Sequence, residues 1–156
     1  FENIHFLFIG DGAEKKKVVS LAEDEGLKNV TFLDPIPKEQ IPDYLALTDA
    51  SLVPLKKSDT FKTVIPSKIF EACAMGKPII LGVEGQAKKI IDEFEAGVCF
   101  EPENSAEFVD AVNRLADDEE LFQNLSQNAL NLAKAYDRKK LAKEMLEVIR
   151  KRVENH

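Results

Sequence analysis

The stretch Thr63-Val-Ile-Pro-Ser-Lys-Ile-Phe-Glu-Ala-Cys-Ala-Met-Gly-Lys-Pro-Ile-Ile80 decides how the rest of the chain is read. Its order is loop, helix, turn, buried strand. Pro66 suits a first helical turn, where a missing N–H removes no hydrogen bond. Gly76 suits the position just past the helix end, and Pro78 keeps the helix from resuming. Ile79, Ile80 and Leu81 begin an apolar run of the kind a doubly covered parallel strand shows. Phe70, Cys73 and Ala74 are expected to face a core. Glu71 is the one carboxylate of the helix; Ser67 and Lys68, four and three residues earlier, share its side. A helix N-terminus with Ser, Lys and free backbone N–H groups can hold phosphate. A carboxylate one turn deeper can accept hydrogen bonds from ribose hydroxyls. The plainer alternative is a Glu that favours the helix dipole beside a solvated Lys.

Outward from this stretch, strands and helices alternate. Residues 4–9 are strand-like and end in Gly10-Asp11-Gly12. A helix is expected over residues 14–25, with Val18, Val19, Leu21 and Ala22 as its apolar face and Gly26 as its stop. Val30–Leu33 reads as a short strand, residues 35–37 as a turn, and residues 38–47 as a helix broken by a fresh turn at Pro42. Strands follow over residues 50–55, 78–83 and 97–100, with a helix over Gln86–Phe94. Three helices close the chain: residues 104–116, with Phe108, Val112 and Leu115 on one face, then Glu119–Ala135, then residues 138–153. This alternation predicts a Rossmann-like α/β domain, a parallel sheet of about five or six strands with helices on both faces. Ligands of open parallel sheets bind beyond the carboxyl ends of the strands. Residues 10–12, 35–37, 54–67 and 84–86 all occupy such loops. Gly10 and Gly12 do not make a dinucleotide fingerprint, because the third glycine position holds Lys15; alone, two glycines after a strand are more often a tight turn.

Composition bounds the class. At 156 residues the chain is long enough for one domain, spanning residues 1–156, with a real core. Its 44% hydrophobic and 31% charged residues are those of a globular protein. No apolar run is long enough to span a bilayer. The net charge of −7 argues against a nucleic-acid partner. That charge is uneven: residues 84–120 carry twelve acids against three bases, whereas residues 56–68 carry four lysines against one Asp. The lysines lead into the Glu71 helix, where they would draw in an anion; a solvated loop that only aids solubility is the alternative. Cys73 and Cys99 lie in apolar surroundings without Cys-x-x-Cys spacing, which suits buried thiols in a reducing, cytoplasmic setting. His5 reads as packing or edge decoration, and His156 lies far from any ligand-like pattern. Neither a metal site nor an organic cofactor is expected. The chain opens on Phe1 and enters a strand almost at once, which points to a piece of a longer protein, a processed N-terminus being the alternative.

Six segments, in order, carry a family resemblance. They are Phe6-Leu-Phe-Ile-Gly-Asp-Gly12, Val30-Thr-Phe-Leu-Asp-Pro-Ile36, Ile41-Pro-Asp-Tyr-Leu45, Asp49-Ala-Ser-Leu-Val-Pro54, Pro66-Ser-Lys-Ile-Phe-Glu-Ala-Cys-Ala-Met-Gly-Lys-Pro78 and Gly97-Val-Cys-Phe-Glu-Pro102. Together they resemble the C-terminal, nucleotide-sugar-binding domain of GT-B glycosyltransferases, in the retaining family called glycosyl transferases group 1 or glycosyltransferase family 4. The resemblance implies that Glu71 matches the second Glu of the family's Glu-x₇-Glu signature and binds the donor ribose. It puts Ser67 and Lys68 near the diphosphate, and the backbone amides of Val64 and Ile65 against phosphate or donor sugar. It puts the backbone of Ile36 at the nucleobase. The resemblance also implies that Gly10, Gly12 and Gly85 are substrate-binding positions on the same rim.

Two departures stand out. Thr63 occupies the position of the first Glu, which puts the catalytic role of that position in doubt. With Pro66-Ser67-Lys68 it points to a sub-branch similar to bacterial transferases of N-acetylated amino sugars in surface polysaccharide assembly. The Arg and Lys that grip the diphosphate normally precede the first strand seen here, and the acceptor-binding N-terminal domain is absent. The implied reaction is retaining transfer from a nucleotide diphosphate sugar, UDP favoured, to a polysaccharide or lipid-linked acceptor. The partners implied are that donor and the protein's own N-terminal domain, and the full-length protein is expected in the cytoplasm, with the inner membrane face as a second setting. The chain alone is expected to be inactive. The final helix resembles the family segment that runs back toward the N-terminal domain, so part of its Leu141/Met145/Ile149 stripe is expected to be open, packing on its own sheet being the alternative. Two rival functions remain: a non-catalytic nucleotide-sugar-binding scaffold, for which Thr63 argues, and half of a nucleotide-sugar epimerase.

Overall fold

A computed structural model describes residues 3–154, so His156 and Phe1 lie outside the described residues. The chain divides into two compact units, one up to Tyr44 and one from Leu45 onward.

The first unit is a βαβ motif: β1 (Phe6–Ile9), α1 (Lys15–Asp24) and β2 (Val30–Leu33). β1 and β2 pair in parallel, from Phe6 opposite Val30 to Ile9 opposite Leu33. The Phe8 and Phe32 rings, opposite one another in that register, stack at 5.1 Å. The expected apolar face of α1 is corrected. Ala22 is buried and Val19 half-buried, but Val18 and Leu21 are exposed. A short helix here buries one narrow stripe, and that stripe passes through Ala22, one turn after Val19. A 3₁₀ turn over Lys38–Gln40 then gives way to α2 (Ile41–Leu47). Pro42 sits in the first turn of α2, where its fixed φ is tolerated, so the expected break falls as read.

The second unit holds β3 (Ser51–Pro54), a 3₁₀ turn over Asp59–Thr63, α3 (Lys68–Ala74), β4 (Ile79–Gly82), α4 (Gln86–Phe94), β5 (Gly97–Cys99), α5 (Ser105–Asp117), α6 (Glu119–Ala135) and α7 (Arg138–Glu154). Its sheet runs β3-β4-β5, all parallel. Ile79, Ile80, Leu81 and Gly82 are all buried, as a central parallel strand requires. Side chains alternate across the sheet. Val53, Leu81, Ile79 and Val83 point to one face, where they form one core with Ile69, Ala72 and Cys73 of α3, Ala87, Ile90 and Ile91 of α4, and Ala129 and Leu132 of α6. Ile80 and Val98, opposite one another in the register, point to the other face, over which α5 lies with Ala111, Val112 and Leu115 buried. Helices thus cover both faces of a parallel sheet, as the alternation of elements predicts, but the strand count is corrected: the five strands among the described residues fall into hydrogen-bonded sheets of two and three rather than one sheet of five or six.

The phase of α3 differs from the expectation at one residue. Ile69, Ala72 and Cys73 are buried and Phe70 half-buried, but Ala74 is exposed. α6 packs along α3 and fixes the buried stripe at positions 69, 72 and 73, a quarter-turn away from Ala74. The helix ends as read. Gly76 has φ +69°, its N–H donates to the Cys73 carbonyl at 3.0 Å, and Lys77 N–H reaches the Ala72 carbonyl at 3.0 Å. That pair of bonds is a Schellman stop, which favours glycine at this position.

Along α7 every side chain from Arg138 to Val153 is exposed, the apolar Leu141, Met145, Leu146, Val148, Ile149 and Val153 included. Of the two expectations for this helix, the open stripe is the one seen. No helix among the described residues is long and apolar enough to cross a membrane.

Candidate functional site

The turn that opens α3 is where the sequence places a ligand. Pro66 and Ser67 already bend helically, since Ile69 N–H reaches the Pro66 carbonyl at 3.1 Å and Phe70 N–H the Ser67 carbonyl at 3.0 Å. Burial of Ile69, Ala72 and Cys73 turns Ser67, Lys68 and Glu71 outward, and all three are exposed. The Ser67 side chain makes no cap hydrogen bond. Among the described residues Lys68 and Glu71 form no ion pair, with each other or with anything else. Glu71 stands in the first turn of α3 beside a solvated Lys68, which also fits the plainer alternative of a carboxylate favoured by the helix dipole. What α3 offers a ligand is two charged side chains and a hydroxyl on one open turn.

The lysine-rich loop before α3 is less positive than its sequence. Lys57 is bonded to Glu101, and Lys62 to Asp59 at 2.7 Å, with Glu84 3.8 Å away. The hydrogen bond that Lys57 donates to Glu101, then the charge of Glu101, pushes the Lys57 amine up; Asp59 does the same for Lys62. Two of the four lysines are thus already neutralised, and Lys56 and Lys68 remain. Thr63 is exposed, and its hydroxyl donates to the Thr60 carbonyl at 3.1 Å. The expectation of two free amides at Val64 and Ile65 is corrected for Val64. Its N–H is committed to the Phe61 carbonyl at 3.2 Å, because the Asp59–Thr63 turn closes on it. Ile65 packs its side chain against the core, and no bond to its amide is found among the described residues.

Gly85, in the turn between β4 and α4, has φ +77° and ψ −131°. A Cβ there would lie 2.1 Å from the Lys62 carbonyl oxygen and 2.6 Å from its Cα. The backbone of the Asp59–Thr63 turn therefore rests directly on this glycine, a contact the sequence did not reveal.

In the first unit, Gly10 and Gly12 follow β1, and Ile36 follows β2. Gly12 N–H donates to Asp11 Oδ1 at 2.8 Å. Lys15, the residue that displaces a third glycine, donates from Nζ to the Gly10 carbonyl at 2.8 Å, to the Leu33 carbonyl at 3.2 Å and to Asp34 Oδ1 at 2.7 Å. That hydrogen bond, then the lysine's charge, holds the Asp34 carboxyl below the usual range. Lys15 ties the ends of both strands together. Sequence reasoning noticed Lys15 only as a missing glycine; the signal was a basic residue three positions after a glycine turn with Asp34 closing the paired strand. Ile36 is half-buried between Pro35 and Pro37.

Other expectations resolve simply. Cys73 is buried and Cys99 half-buried, and burial pushes both thiols up to about 12. The His5 ring lies 2.8 Å from Thr31 Oγ1, across the β1–β2 pair. Among the described residues no three His, Cys, Asp or Glu side chains gather to hold a metal. An apolar cleft of about 420 Å³ opens on the α5 side of the β3-β4-β5 sheet, lined chiefly by Leu52, Pro54, Leu55, Phe100 and Phe108. Lys56 of the lysine-rich loop lines it as well, whereas Ser67, Lys68, Glu71 and Gly85 do not.

The sequence pattern of the family described as "Glycosyl transferases group 1" matches residues 1–132. The chain belongs to that family. It is 28% identical over 131 residues to the alpha-D-kanosaminyltransferase of Streptomyces kanamyceticus, covering 83% of this chain and 33% of that protein. It is 36% identical over 75 residues to the glycosyltransferase TuaH of Bacillus subtilis (strain 168), provisionally assigned to teichuronic acid biosynthesis, covering 48% of this chain and 19% of that one. Among solved structures, Alr3699/HepE of Anabaena in complex with UDP superposes with a TM-score of 0.78 at 21% identity, over 95% of this chain and 41% of that chain. The fold is that of the GT-B glycosyltransferases. The chain spans about a third of the length of the kanosaminyltransferase it matches.

Proposed function

We propose that the chain is the donor-binding domain, residues 1–156, of a glycosyltransferase. That enzyme moves a sugar from a UDP-linked donor, with retention at the anomeric carbon, to a polysaccharide or lipid-linked acceptor. The observation that carries this reading is the exposed set of Ser67, Lys68 and Glu71, whose side chains find no partner among the described residues, on one turn of a helix that is otherwise anchored in the core. HepE's complex with UDP and TuaH's assignment to a surface polymer support the donor and acceptor classes.

In this reading Glu71 accepts hydrogen bonds from the ribose hydroxyls. Lys68, the Ser67 hydroxyl and the Ile65 amide stabilise the diphosphate as it takes up charge on leaving, the kind of preorganised donor set that lowers such barriers. In the first unit, taken by itself, the family resemblance assigns the backbone at Ile36 to the nucleobase and counts Gly10 and Gly12 as donor-binding positions. An acceptor-binding domain of the full-length protein supplies the remaining cations and the other wall of the cleft, and α7 runs back toward it. The full-length protein works in the cytoplasm, at the inner face of the membrane when its acceptor is a lipid.

Titration calorimetry of the chain with UDP tests the site. Glu71→Gln should weaken binding by roughly 1–3 kcal/mol, the range for hydrogen bonds to a charged acceptor. Equal heats from both proteins would remove Glu71 from the site. A second reading, binding without transfer, is favoured by Thr63, whose hydroxyl is engaged with Thr60 and which offers no carboxylate. Radiolabelled UDP-sugars with the full-length protein separate the two: transfer to an acceptor supports the enzyme, binding without turnover the scaffold, and an epimerised sugar neither.

A further inference from the structure

We infer that Gly85 and the Glu84–Lys62 pair form a seat that sets the position of residues 59–65, and through them the donor pocket. Gly85 is thus a positioning residue rather than a ligand contact. The inference rests on the donor-binding reading above and deepens it. The segment concerned runs from the Asp59–Thr63 turn through Val64 and Ile65 into Pro66 and the open turn of α3. Its own bonds are local: Phe61 N–H to the Ser58 carbonyl at 3.1 Å, Val64 N–H to Phe61 at 3.2 Å, and the Thr63 hydroxyl to Thr60 at 3.1 Å. Such bonds fix the shape of the turn but not where it sits on the sheet.

Two things fix its place. Ile65 packs into the core at one end. Near the other, the Lys62 backbone lies on Gly85 so closely that a Cβ would come within 2.1 Å of its carbonyl oxygen. Gly85 also occupies φ +77°, ψ −131°, a conformation that L-residues with a side chain avoid. Two separate demands, close approach and backbone conformation, thus converge on glycine at this position. Beside it the Lys62 ammonium is 2.7 Å from Asp59 Oδ1 and 3.8 Å from Glu84 Oε2, bridging the turn to the residue before Gly85. The pair is partly exposed and by itself weak; its value is to hold a register that the backbone contact has already set. Lys62 is thereby spent on the protein's own acids, and Lys68 is left as the open positive charge at the end of the segment.

The test uses the full-length protein with UDP as probe, reading affinity by calorimetry and thermal midpoint alongside. Gly85→Ala forces the Lys62 backbone away. Glu84→Lys leaves the glycine turn intact and repels Lys62, so it carries the test should Gly85→Ala fail to fold. An added positive charge alone would attract the diphosphate, so a fall in affinity in Glu84→Lys reports displacement of the segment. We expect UDP affinity to drop roughly tenfold in folded variants, the equivalent of about one net hydrogen bond lost. The fully charge-swapped variant, Glu84→Lys with Lys62→Glu and Asp59→Lys, inverts both ion pairs of the turn and should recover most of it. Glu84→Lys with the wild-type midpoint and wild-type affinity would overturn the seat. So would a loss of affinity that the swap does not restore. A wild-type protein that takes up neither UDP nor another nucleoside diphosphate would instead overturn the donor-binding reading beneath it.

Discussion

The thiols show how burial sets chemistry at a single residue. Cys73 sits in the α3 core and Cys99 at the end of β5, where its Sγ donates to Asp92 Oδ1 at 3.5 Å. Burial lifts both thiols from 9.0 to about 12, and the Asp92 charge adds to the effect at Cys99. The nucleophile is the thiolate, so an aromatic disulfide reagent at pH 8 should label neither cysteine in the folded protein and both in urea. Rapid native labelling of Cys73 would contradict its burial. The sign for stability follows from linkage. A thiol whose folded value is raised favours folding below its ordinary value, and that contribution is lost as pH climbs from 9.0 through about 12. Urea midpoints should therefore fall across that alkaline window. The apolar setting of both cysteines was legible in the sequence, because neighbours such as Ala72 and Val98 are apolar along the chain itself. The role of Lys15 was not. Its amine reaches oxygens 5, 18 and 19 residues away, a convergence that only the βαβ crossover creates.

At the scale of elements, local rules did well wherever the deciding atoms are close in sequence. Gln86–Phe94 and Glu119–Ala135 begin and end as read. α5 starts one residue later than expected because Asn104 is its cap: Asn104 Oδ1 accepts from Glu107 N–H at 3.2 Å, and Glu107 answers by accepting from Asn104 Nδ2 at 2.9 Å. Asn104→Ala should cost about 1 kcal/mol in urea unfolding, the usual value of such a cap; no change would mean the first turn is held by packing alone. Helix phase was harder to read, as Ala74 and Leu21 show, since which stripe is buried depends on a partner far along the chain. Leu132 illustrates the dependence. It is fully buried on α6 in the core shared with Ile69 and Cys73 of α3. Leu132→Ala should therefore cost roughly 2–5 kcal/mol, the range for a truncated buried leucine that leaves a cavity. The open turn bearing Ser67, Lys68 and Glu71 is displayed by that same packing, so its geometry is inherited from residues more than 50 positions away. The residue types of the candidate site could be read from sequence; the engagement of Val64's amide and the contact beneath Gly85 could not.

For the whole molecule, the odd member is α7. It is a 17-residue helix with seven basic side chains, and none of its described side chains is buried. Met145 and Val153 remain 63% and 71% exposed. A helix of this length that buries none of its described side chains is marginal in water, so its stability has to come from a surface it packs against. The apolar arc through Leu141, Met145 and Ile149 is the face such a surface would cover. In the proposed enzyme that surface is the acceptor-binding domain, and transfer needs both domains because holding the two reactants together supplies much of the barrier lowering. The isolated chain should accordingly bind donor yet transfer nothing. Hydrogen exchange gives the structural half of the same expectation. In the isolated chain the amides of α7 should exchange within seconds while those of α6, anchored by Leu125, Ala129 and Leu132, stay protected. In the full-length protein the α7 amides should become protected too. Strong protection of α7 in the isolated chain, independent of protein concentration, would show that the helix is stable without a partner. Protection that grows with concentration would assign its apolar arc to a second copy of the chain instead.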